Sequence, residues 1–322
     1  MRICVTGGSG FIGEQLVKQL EARGDELVLL TRTAKANAPH RQYFVADLVD
    51  QALSLAGLLD GVSVIYHCAG EIKNPALMQG LHVDGTARLL AAVEQHIKAT
   101  QQPIHWVQLS SVGAYGSSVG AAHDVRVVTE ATLTAPQGEY EKTKTVSDEL
   151  VMAFAANKPL FSYTILRPSN VIGSSMTNQS LRALVGMIKK GRFFYIGSRL
   201  AVATYIHVED VVAALLLCGE DDRAKREIFN LSNDCPLSDM VDAVAQASGI
   251  ASPKLCVPEQ PLRILVKLIT KMGRSPLTQA RIDALVRRTY YPATKIKEVL
   301  GFVPQQAIPR VVAAMFEGKT ND

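Results

Sequence analysis

Residues 2–13 read RICVTGGSGFIG, an apolar strand that runs directly into a glycine turn. Gly7, Gly10 and Gly13 have the spacing of a dinucleotide-binding turn. Such a turn needs glycine for its tight bend, for close approach of the backbone to a pyrophosphate, and for packing of the next helix on its strand. The segment that follows is amphipathic and predicts a helix over residues 11–23. Its first amides, from Phe11 and Ile12 onward, are expected to face the phosphates.

Strand-like and helix-like segments alternate after this turn. We predict strands at 26–30, 42–45, 62–67, 104–109 and 162–166, and helices at 76–97 and 139–157. Apolar strands separated by helices indicate an α/β fold with a doubly wound parallel sheet of Rossmann type. The predicted dinucleotide-binding domain comprises residues 1–172, rejoined by 201–233. A smaller, mostly helical substrate-binding lobe comprises residues 173–200 and 234–322.

Ser111, Tyr140 and Lys144 are the strongest candidates for chemistry. Tyr140 and Lys144 are four residues apart in a helical pattern, so their side chains project from one face. A phenol with a pKa near ~10 is a poor acid or base at neutral pH, but a neighbouring ammonium favours the phenolate. Ser111 lies just past a predicted strand, where its hydroxyl can bond a carbonyl or alcohol. Together they predict proton transfer at an alcohol oxygen while a nicotinamide handles the hydride.

The end of the second predicted strand bears on the choice of cofactor. A carboxylate there would hold a ribose 2′-hydroxyl and repel a 2′-phosphate. This chain instead has Thr31 followed by Arg32. Arginine offers paired donors and a permanent charge to a phosphate. We therefore expect NADP(H) to be preferred; NAD(H) is the alternative if Arg32 is only a surface residue.

These segments resemble the extended branch of the short-chain dehydrogenase/reductase family, of the NAD-dependent epimerase/dehydratase type. The matching motifs are TGGSGFIG at 6–13, ADL at 46–48, HCAG at 67–70, HVDGT at 82–86, LSSVGAYG at 109–116, YEKTK at 140–144, LRPSNVIG at 166–173 and YIHVEDVV at 205–212. The resemblance covers most of the chain, and the motifs are specific in combination.

The resemblance implies roles for individual residues. Tyr140 would be the catalytic acid/base, Lys144 would lower its pKa and bind the nicotinamide ribose, and Ser111 would orient the reacting oxygen. The further cofactor contacts that it implies are Asp47 and Leu48 at the adenine, Cys68, Ala69 and Gly70 along the dinucleotide, and Pro168 at the carboxamide. It also implies a homodimer formed through the helices near 76–97 and 139–157.

The chain departs from the family pattern at three positions. His82 stands where the branch has an asparagine near the catalytic lysine, and it is either a core histidine or part of a proton relay. Ala203 stands where nucleotide-sugar epimerases often have an arginine that grips the diphosphate. Ser111 is followed by Val112 and Gly113 rather than by an Asp-Glu pair, which disfavours 4,6-dehydration.

Three functions remain open. A nucleotide sugar is the favoured small-molecule substrate, for an epimerase or a ketoreductase, with Ser111, Asn170, Lys73 and Arg192 as candidate contacts. The first alternative is a ketoreductase of an apolar substrate, similar to hydroxysteroid dehydrogenases or dihydroflavonol reductases. The second is a non-catalytic NADP(H)-binding sensor, which the presence of all three candidate catalytic residues disfavours.

Residues 262–272 carry apolar side chains at 262, 265, 266, 269 and 272, and cations at 263, 267, 271 and 274. We interpret this segment as a helix packed on the core with a solvated basic face. The alternative is an interfacial helix that lets a greasy substrate approach.

The composition argues against several other classes. The chain has 322 residues and a formal net charge of +4, without the Lys/Arg stripe of a nucleic-acid-binding protein. No apolar run approaches ~18 residues, so no membrane span is expected. Five scattered cysteines without CxxC spacing predict neither disulfides nor a metal site, and they fit a cytoplasmic protein.

Overall fold

The computed structural model describes residues 1–50, 52–117, 124–176, 179–272 and 277–316, with backbone alone for 270–272. The strands are β1 (Arg2–Thr6), β2 (Glu26–Thr31), β3 (Arg41–Val45), β4 (Val64–His67), β5 (Ile104–Leu109), β6 (Arg126–Val127), β7 (Phe161–Pro168), β8 (Asn170–Ile172), β9 (Tyr195–Ile196), β10 (Val202–Ala203), β11 (Tyr205–His207), β12 (Glu227–Leu231), β13 (Cys235–Pro236), β14 (Cys256–Val257) and β15 (Thr289–Tyr290). The α-helices are α1 (Phe11–Ala22), α2 (Pro75–Met78), α3 (Gly85–Thr100), α4 (Glu139–Ala155), α5 (Gln179–Lys189), α6 (Val208–Glu220), α7 (Leu237–Ala247), α8 (Glu259–Met272), α9 (Gln279–Val286), α10 (Thr294–Leu300) and α11 (Ile308–Met315).

Seven strands form one parallel sheet in the order β12-β7-β5-β4-β1-β2-β3. The order reverses between β1 and β4, so the carboxyl ends of these two strands border the crevice in which such sheets bind ligands. Every residue of β4 and β5 is buried, which explains why their sequences lack polar alternation. The predicted doubly wound α/β fold is confirmed.

Apolar side chains form one core on each face of this sheet. Along β1, Ile3 and Val5 point into the core covered by α1 and α6, whereas Cys4 points into the core covered by α3 and α4. This alternation follows from the two-residue period of a strand. The sheet is therefore covered by helices on both faces.

A wide helical turn interrupts the helix predicted at 76–97. Residues Gln79–Asp84 form a π-helix between α2 and α3, and His82 is its buried residue. The π-helix is rare and occurs frequently at functional sites. From this turn the His82 side chain reaches the Glu71 N–H and the Thr143 hydroxyl.

A third core joins α5, α7 and α11 around Val185, Val241 and Val312, in segments assigned from sequence to the substrate lobe. Within the same predicted lobe, α10 instead packs Ile296 and Leu300 into the core beneath α1 and α6. In the parts of the chain that the structure describes, no helix is long and apolar enough to cross a bilayer.

Candidate active site

The glycine turn after β1 excludes side chains at two of its positions. Gly7 has φ +69°, the left-handed conformation that favours glycine. A Cβ at Gly13 would lie 2.2 Å from the Gly7 carbonyl oxygen, and one at Gly7 would lie 2.6 Å from the Ala69 nitrogen. Among the described side chains none caps α1, so the amides of Phe11 and Ile12 remain available to an anion. This cradle fits the pyrophosphate of a dinucleotide.

The carboxyl ends of β2 and β3 lie along the same edge of the sheet. Thr31 ends β2, and its hydroxyl donates to the Thr33 carbonyl oxygen at 3.2 Å. Arg32 is exposed and has no hydrogen-bond or ion-pair partner among the described residues. After β3, the Asp47 carboxylate accepts a hydrogen bond from the amide two residues later at 3.0 Å, and Leu48 is buried. Arg32 therefore stands unpaired directly after β2 in the described chain, and Lys35 follows three residues later over the Tyr43 ring.

A buried hydrogen-bond chain holds the loop after β4 against the glycine turn. The Thr6 hydroxyl lies 2.7 Å from Nδ1 of His67 and accepts a hydrogen bond from the Ala69 N–H at 3.2 Å. Nε2 of His67 lies 3.0 Å from the Thr86 hydroxyl. Burial lowers the pKa of His67 to about 3, so the neutral ring can accept at Nδ1 and donate at Nε2. Residues 68–70, predicted to line the cofactor, are thereby held in place.

Ser111 follows the end of β5, and Tyr140 lies in the first turn of α4. The Ser111 hydroxyl accepts a hydrogen bond from the Gly113 N–H at 3.0 Å, and Pro168 ends the neighbouring strand β7. Burial raises the pKa of Tyr140 to about 12, and the neighbouring Ser111 hydroxyl offsets this only in part. The direction of this shift is opposite to the one expected from the spacing of Tyr140 and Lys144, and the catalytic roles of the two residues stay a prediction.

Lys144 lies one turn after Tyr140, but backbone holds its ammonium. Nζ donates to the Leu109 carbonyl oxygen at 2.5 Å, and the side chain is buried. Burial lowers the pKa of Lys144, whereas the charges of Asp148 and Cys68 raise it. Burial, and not the charge of Lys144, dominates the pKa of Tyr140.

A buried ion pair lies one further turn along α4, and the sequence analysis missed it. The Oδ2 atom of Asp148 accepts hydrogen bonds from Arg167 at 3.0 Å and from the Ser110 hydroxyl at 2.7 Å. The guanidinium also lies over the Tyr115 ring, 5.0 Å from its centroid. The available signal was the four-residue spacing from Lys144 to Asp148, which places both carboxylate and ammonium on one helix face.

His82 connects the loop after β4 to α4. Its Nε2 accepts a hydrogen bond from the Glu71 N–H at 2.8 Å, and its Nδ1 lies 2.8 Å from the Thr143 hydroxyl. The ring meets Tyr140 edge-on, with centroids 5.7 Å apart. Burial, then the charge of Lys144, lowers the pKa of His82 to about 4. Both ring nitrogens have partners, so the geometry favours the core histidine of the two interpretations.

A cavity of about 380 Å³ lies next to β8, α5 and α9. Its wall is mostly apolar and includes Leu184, Met187, Phe193, Ile196, Val202 and Leu285. Its polar lining includes Asn170, Thr204, Arg281 and Arg287.

The predicted substrate contacts are distributed unevenly around this cavity. Asn170 lines it and donates from Nδ2 to the Thr204 carbonyl oxygen at 3.1 Å. Ala203 also lines it and adds no charge. Ser111, which follows β5, does not line it, and neither do Lys73, in the loop after β4, and Arg192, after α5, which are both exposed.

Sequence reasoning missed Arg281 and Arg287 as cavity residues. Within α9, residues 281, 284 and 285 all line the cavity, which is the spacing of one helix face. That periodicity could have identified the helix face, but not the cavity beneath it.

Comparison with known proteins places the chain in a family. Residues 3–232 match the model of the NAD dependent epimerase/dehydratase family. The chain is 26% identical to sterol-4-alpha-carboxylate 3-dehydrogenase, decarboxylating, of Mus musculus, over 96% of this chain and 89% of that protein. It is 27% identical to 4-hydroxy-2-methyl-3-oxo-4-farnesyl-3,4-dihydroquinoline-1-oxide ketoreductase of Stigmatella aurantiaca, over 90% and 86% of the two chains.

The fold is also similar to that of UDP-glucose 4-epimerase from Thermotoga maritima with UDP-glucose. The TM-score is 0.70, with 21% identity and coverage of 98% of both chains. The family match runs from β1 to β12 and includes the glycine turn and the Ser111, Tyr140 and Lys144 segments. The chain therefore belongs to the NAD dependent epimerase/dehydratase family and is an NAD(P)-dependent enzyme of the extended short-chain dehydrogenase/reductase type.

Proposed function

We propose that this enzyme transfers a hydride and a proton at a secondary alcohol or ketone, with Ser111, Tyr140 and Lys144 as its catalytic residues. The observation that carries the proposal is the position of Ser111 at the end of β5, where the buried Lys144 ammonium donates to the Leu109 carbonyl oxygen, with Tyr140 one turn before Lys144 on α4. These groups stand at strand ends next to the glycine turn, where the ligands of a doubly wound sheet bind.

The nicotinamide dinucleotide, when bound, supplies or accepts the hydride. The amides at the start of α1 bind its pyrophosphate, and Lys144 binds the ribose. Ser111 orients the substrate oxygen. The protonated Tyr140 donates its proton to that oxygen during reduction and takes it back during oxidation. Donation from the Ser111 hydroxyl and the charge of Lys144 would stabilise the phenolate that remains.

The cavity favours the apolar substrate among the alternatives. Apolar rings gain about 25 cal/mol per Å² on leaving water for such a wall. A nucleotide would place polar groups against the apolar part of this wall, which costs free energy. Of the four substrate contacts proposed from sequence, Asn170 lines the cavity, whereas Ser111, Lys73 and Arg192 do not. Two relatives are named for a sterol and for a farnesyl-bearing quinoline, which supports the same choice.

A nucleotide sugar is the second candidate. Arg281 and Arg287 line the cavity together with Asn170, and two guanidinium groups can bind a diphosphate. The similar fold of the Thermotoga maritima protein was solved with UDP-glucose.

The cofactor proposed is NADP(H), with NAD(H) as the alternative. The Thr31 hydroxyl is engaged by the Thr33 carbonyl, so Arg32 is the group that remains for a 2′-phosphate. We also propose the division into a dinucleotide-binding domain (1–172 and 201–233) and a substrate lobe (173–200 and 234–322). In that division the cavity is lined from both parts.

A homodimer through α3 and α4 is part of the proposal. The exposed positions of these helices include Ala87, Ala91, Val146 and Ala153, small or apolar side chains that allow close helix contact. Sedimentation of the wild type and of Val146→Glu tests it. We expect a dimer that the variant dissociates.

Tyr140→Phe tests the chemistry. We expect turnover to fall by about 10²- to 10⁴-fold, the usual contribution of a general acid or base. The dissociation constant for NADPH, measured by fluorescence, should stay within about twofold because the glycine turn is untouched. Tyr290→Phe is the matched control and should retain full turnover. Wild-type turnover in Tyr140→Phe would remove the proposed mechanism.

A ligand panel tests the substrate class. With NADP(H) present, a bicyclic ketone such as decalone should raise the melting temperature and be reduced, whereas UDP-glucose should do neither. Leu184→Asn should raise KM for the ketone because Leu184 lines the cavity. The control is Leu53→Asn, a substitution at an exposed leucine outside the cavity, which should leave KM unchanged. If UDP-glucose raised the melting temperature and decalone was neither bound nor reduced, the nucleotide sugar would be the favoured substrate.

A further inference from the structure

Helix α8 presents large apolar side chains to solvent. Ile264, Leu265, Leu268 and Ile269 are between 42% and 61% exposed. They form two adjacent i, i+4 rows on one helix face. Clustered exposure of this kind marks an interaction surface, whereas isolated exposed leucines need no explanation.

The opposite face of α8 is firmly attached. Leu262 and Val266 pack with Val286 in a small core. Arg263 forms ion pairs with Glu259 at 2.7 Å and with Asp283 of α9 at 2.8 Å. The predicted core packing is thus correct for the inner positions 262 and 266, but positions 265 and 269 face solvent. The helix is anchored, so its exposed row is a feature of the folded protein.

Positive charge borders this apolar face. Lys267 is exposed and has no ion-pair partner in the described ranges. Two more cations follow in the sequence, Lys271 and Arg274, whose side chains, like that of Met272, lie outside the described residues. The whole chain carries a formal charge of +4. An anionic surface complements this arrangement, whereas a second copy of the helix would bring like charges together.

The inner side of α8 is continuous with the apolar cavity. Phe194, Ile196, Leu277 and Leu285 line the cavity and also belong to the small core that holds Val266. The small core therefore connects the cavity lining to the inner side of α8.

We propose that α8 docks on an anionic lipid surface, with the four exposed apolar side chains at the headgroup boundary and Lys267 against the anionic headgroups. Amphipathic helices bind membranes in this way, through buried apolar area and attraction to anionic lipids. Docking would hold the cavity next to the phase in which apolar molecules dissolve. This last consequence rests on the proposed apolar substrate, but the docking itself does not.

The test is flotation of the full chain with lipid vesicles. We expect binding to vesicles of phosphatidylcholine with phosphatidylserine, about tenfold weaker binding to phosphatidylcholine alone, and weakening by added salt. Leu265→Ser/Leu268→Ser and Lys267→Glu should each reduce binding about tenfold or more. Leu53→Ser/Leu133→Ser, two exposed leucines outside α8, is the matched control and should bind as the wild type does. The melting temperature and NADPH affinity of every variant report whether it is folded.

Equal flotation of the α8 variants and the control would overturn the proposal. The proposal would also be overturned if the wild type bound no vesicles and its molar mass fell in Leu265→Ser/Leu268→Ser. The exposed face would then be an interface between copies of the chain. Tyr140→Phe separates this proposal from the proposed function. It should lose turnover of decalone and keep vesicle binding, whereas the α8 variants should keep turnover of this water-soluble ketone.

Discussion

The Nδ1 atom of His82 lies 2.8 Å from the Thr143 hydroxyl oxygen, while the other ring nitrogen accepts the Glu71 N–H. A neutral imidazole satisfies both contacts, donating at Nδ1 and accepting at Nε2. Thr143 in turn donates to the Glu139 carbonyl oxygen at 2.9 Å. The π-helix, the loop after β4 and the first turn of α4 are therefore joined through one uncharged side chain.

This arrangement predicts a specific dependence of stability on pH. The pKa of His82 falls from 6.5 to about 4 on folding, so between these values the unfolded chain binds more protons than the folded one. The contribution of His82 is complete above pH 6.5 and is lost as the pH falls towards 4, at about 1.4 kcal/mol per pH unit. His82→Asn should flatten the acid limb by about one proton, as measured by urea unfolding across this range.

The pKa of His67 is lowered as well, so the free energy of unfolding of this variant should still fall in acid, but less steeply than that of the wild type. The control is His40→Asn, the same substitution at an exposed position with φ +62°, which asparagine tolerates. An acid limb that is unchanged in His82→Asn would show that the histidine titrates as it does in the unfolded chain.

Gly13→Ala should damage the cofactor cradle. Its Cβ would lie 2.2 Å from the Gly7 carbonyl oxygen, so the turn must shift. We expect a loss of about 2–3 kcal/mol in the free energy of unfolding and weaker NADPH binding. In Gly186→Ala, on α5, the new methyl meets no described atom within 4 Å and should stabilise by up to about 1 kcal/mol. Similar melting temperatures for the two variants would contradict the close contact.

Asp148→Asn should change the behaviour of Lys144 without touching it. The carboxylate raises the pKa of Lys144 against the effect of burial, so its removal lowers that pKa. The alkaline limb of the kcat/KM profile should then begin at lower pH. Loss of the buried partner of Arg167 should also cost about 3 kcal/mol or more of stability. Glu149→Gln, an exposed carboxylate on the same helix, should alter neither quantity.

Arg32→Ala should separate the two cofactors. We expect the affinity for NADPH to fall about tenfold or more, because a charged hydrogen bond to the 2′-phosphate is lost. The affinity for NADH should stay within about twofold, since it has no such phosphate. Arg310→Ala, on α11, controls for the loss of surface charge. Parallel losses for both cofactors in Arg32→Ala would count against the phosphate contact.

Much of the fold was predictable because its signals are local. The bounds of β5 agree with the predicted 104–109, and α1 ends one residue before the predicted 11–23. The π-turn at Gln79–Asp84 was not predicted, since its buried histidine is held by Thr143, 61 residues away. The family motifs named the candidate catalytic residues, but no motif could reveal which charge each carries.

Sequence alone determined the alternation of strands and helices, the glycine turn and the spacing of Tyr140 from Lys144, because each depends on neighbouring residues and on backbone periods. Tertiary structure decided the rest. The phenol of Tyr140 is protonated because burial outweighs its contacts, and the Lys144 ammonium is held by Leu109 on another element. The cavity has an apolar wall because α5, α9 and β10 meet there. The burial of a side chain and its contacts with distant segments are set only when the chain folds.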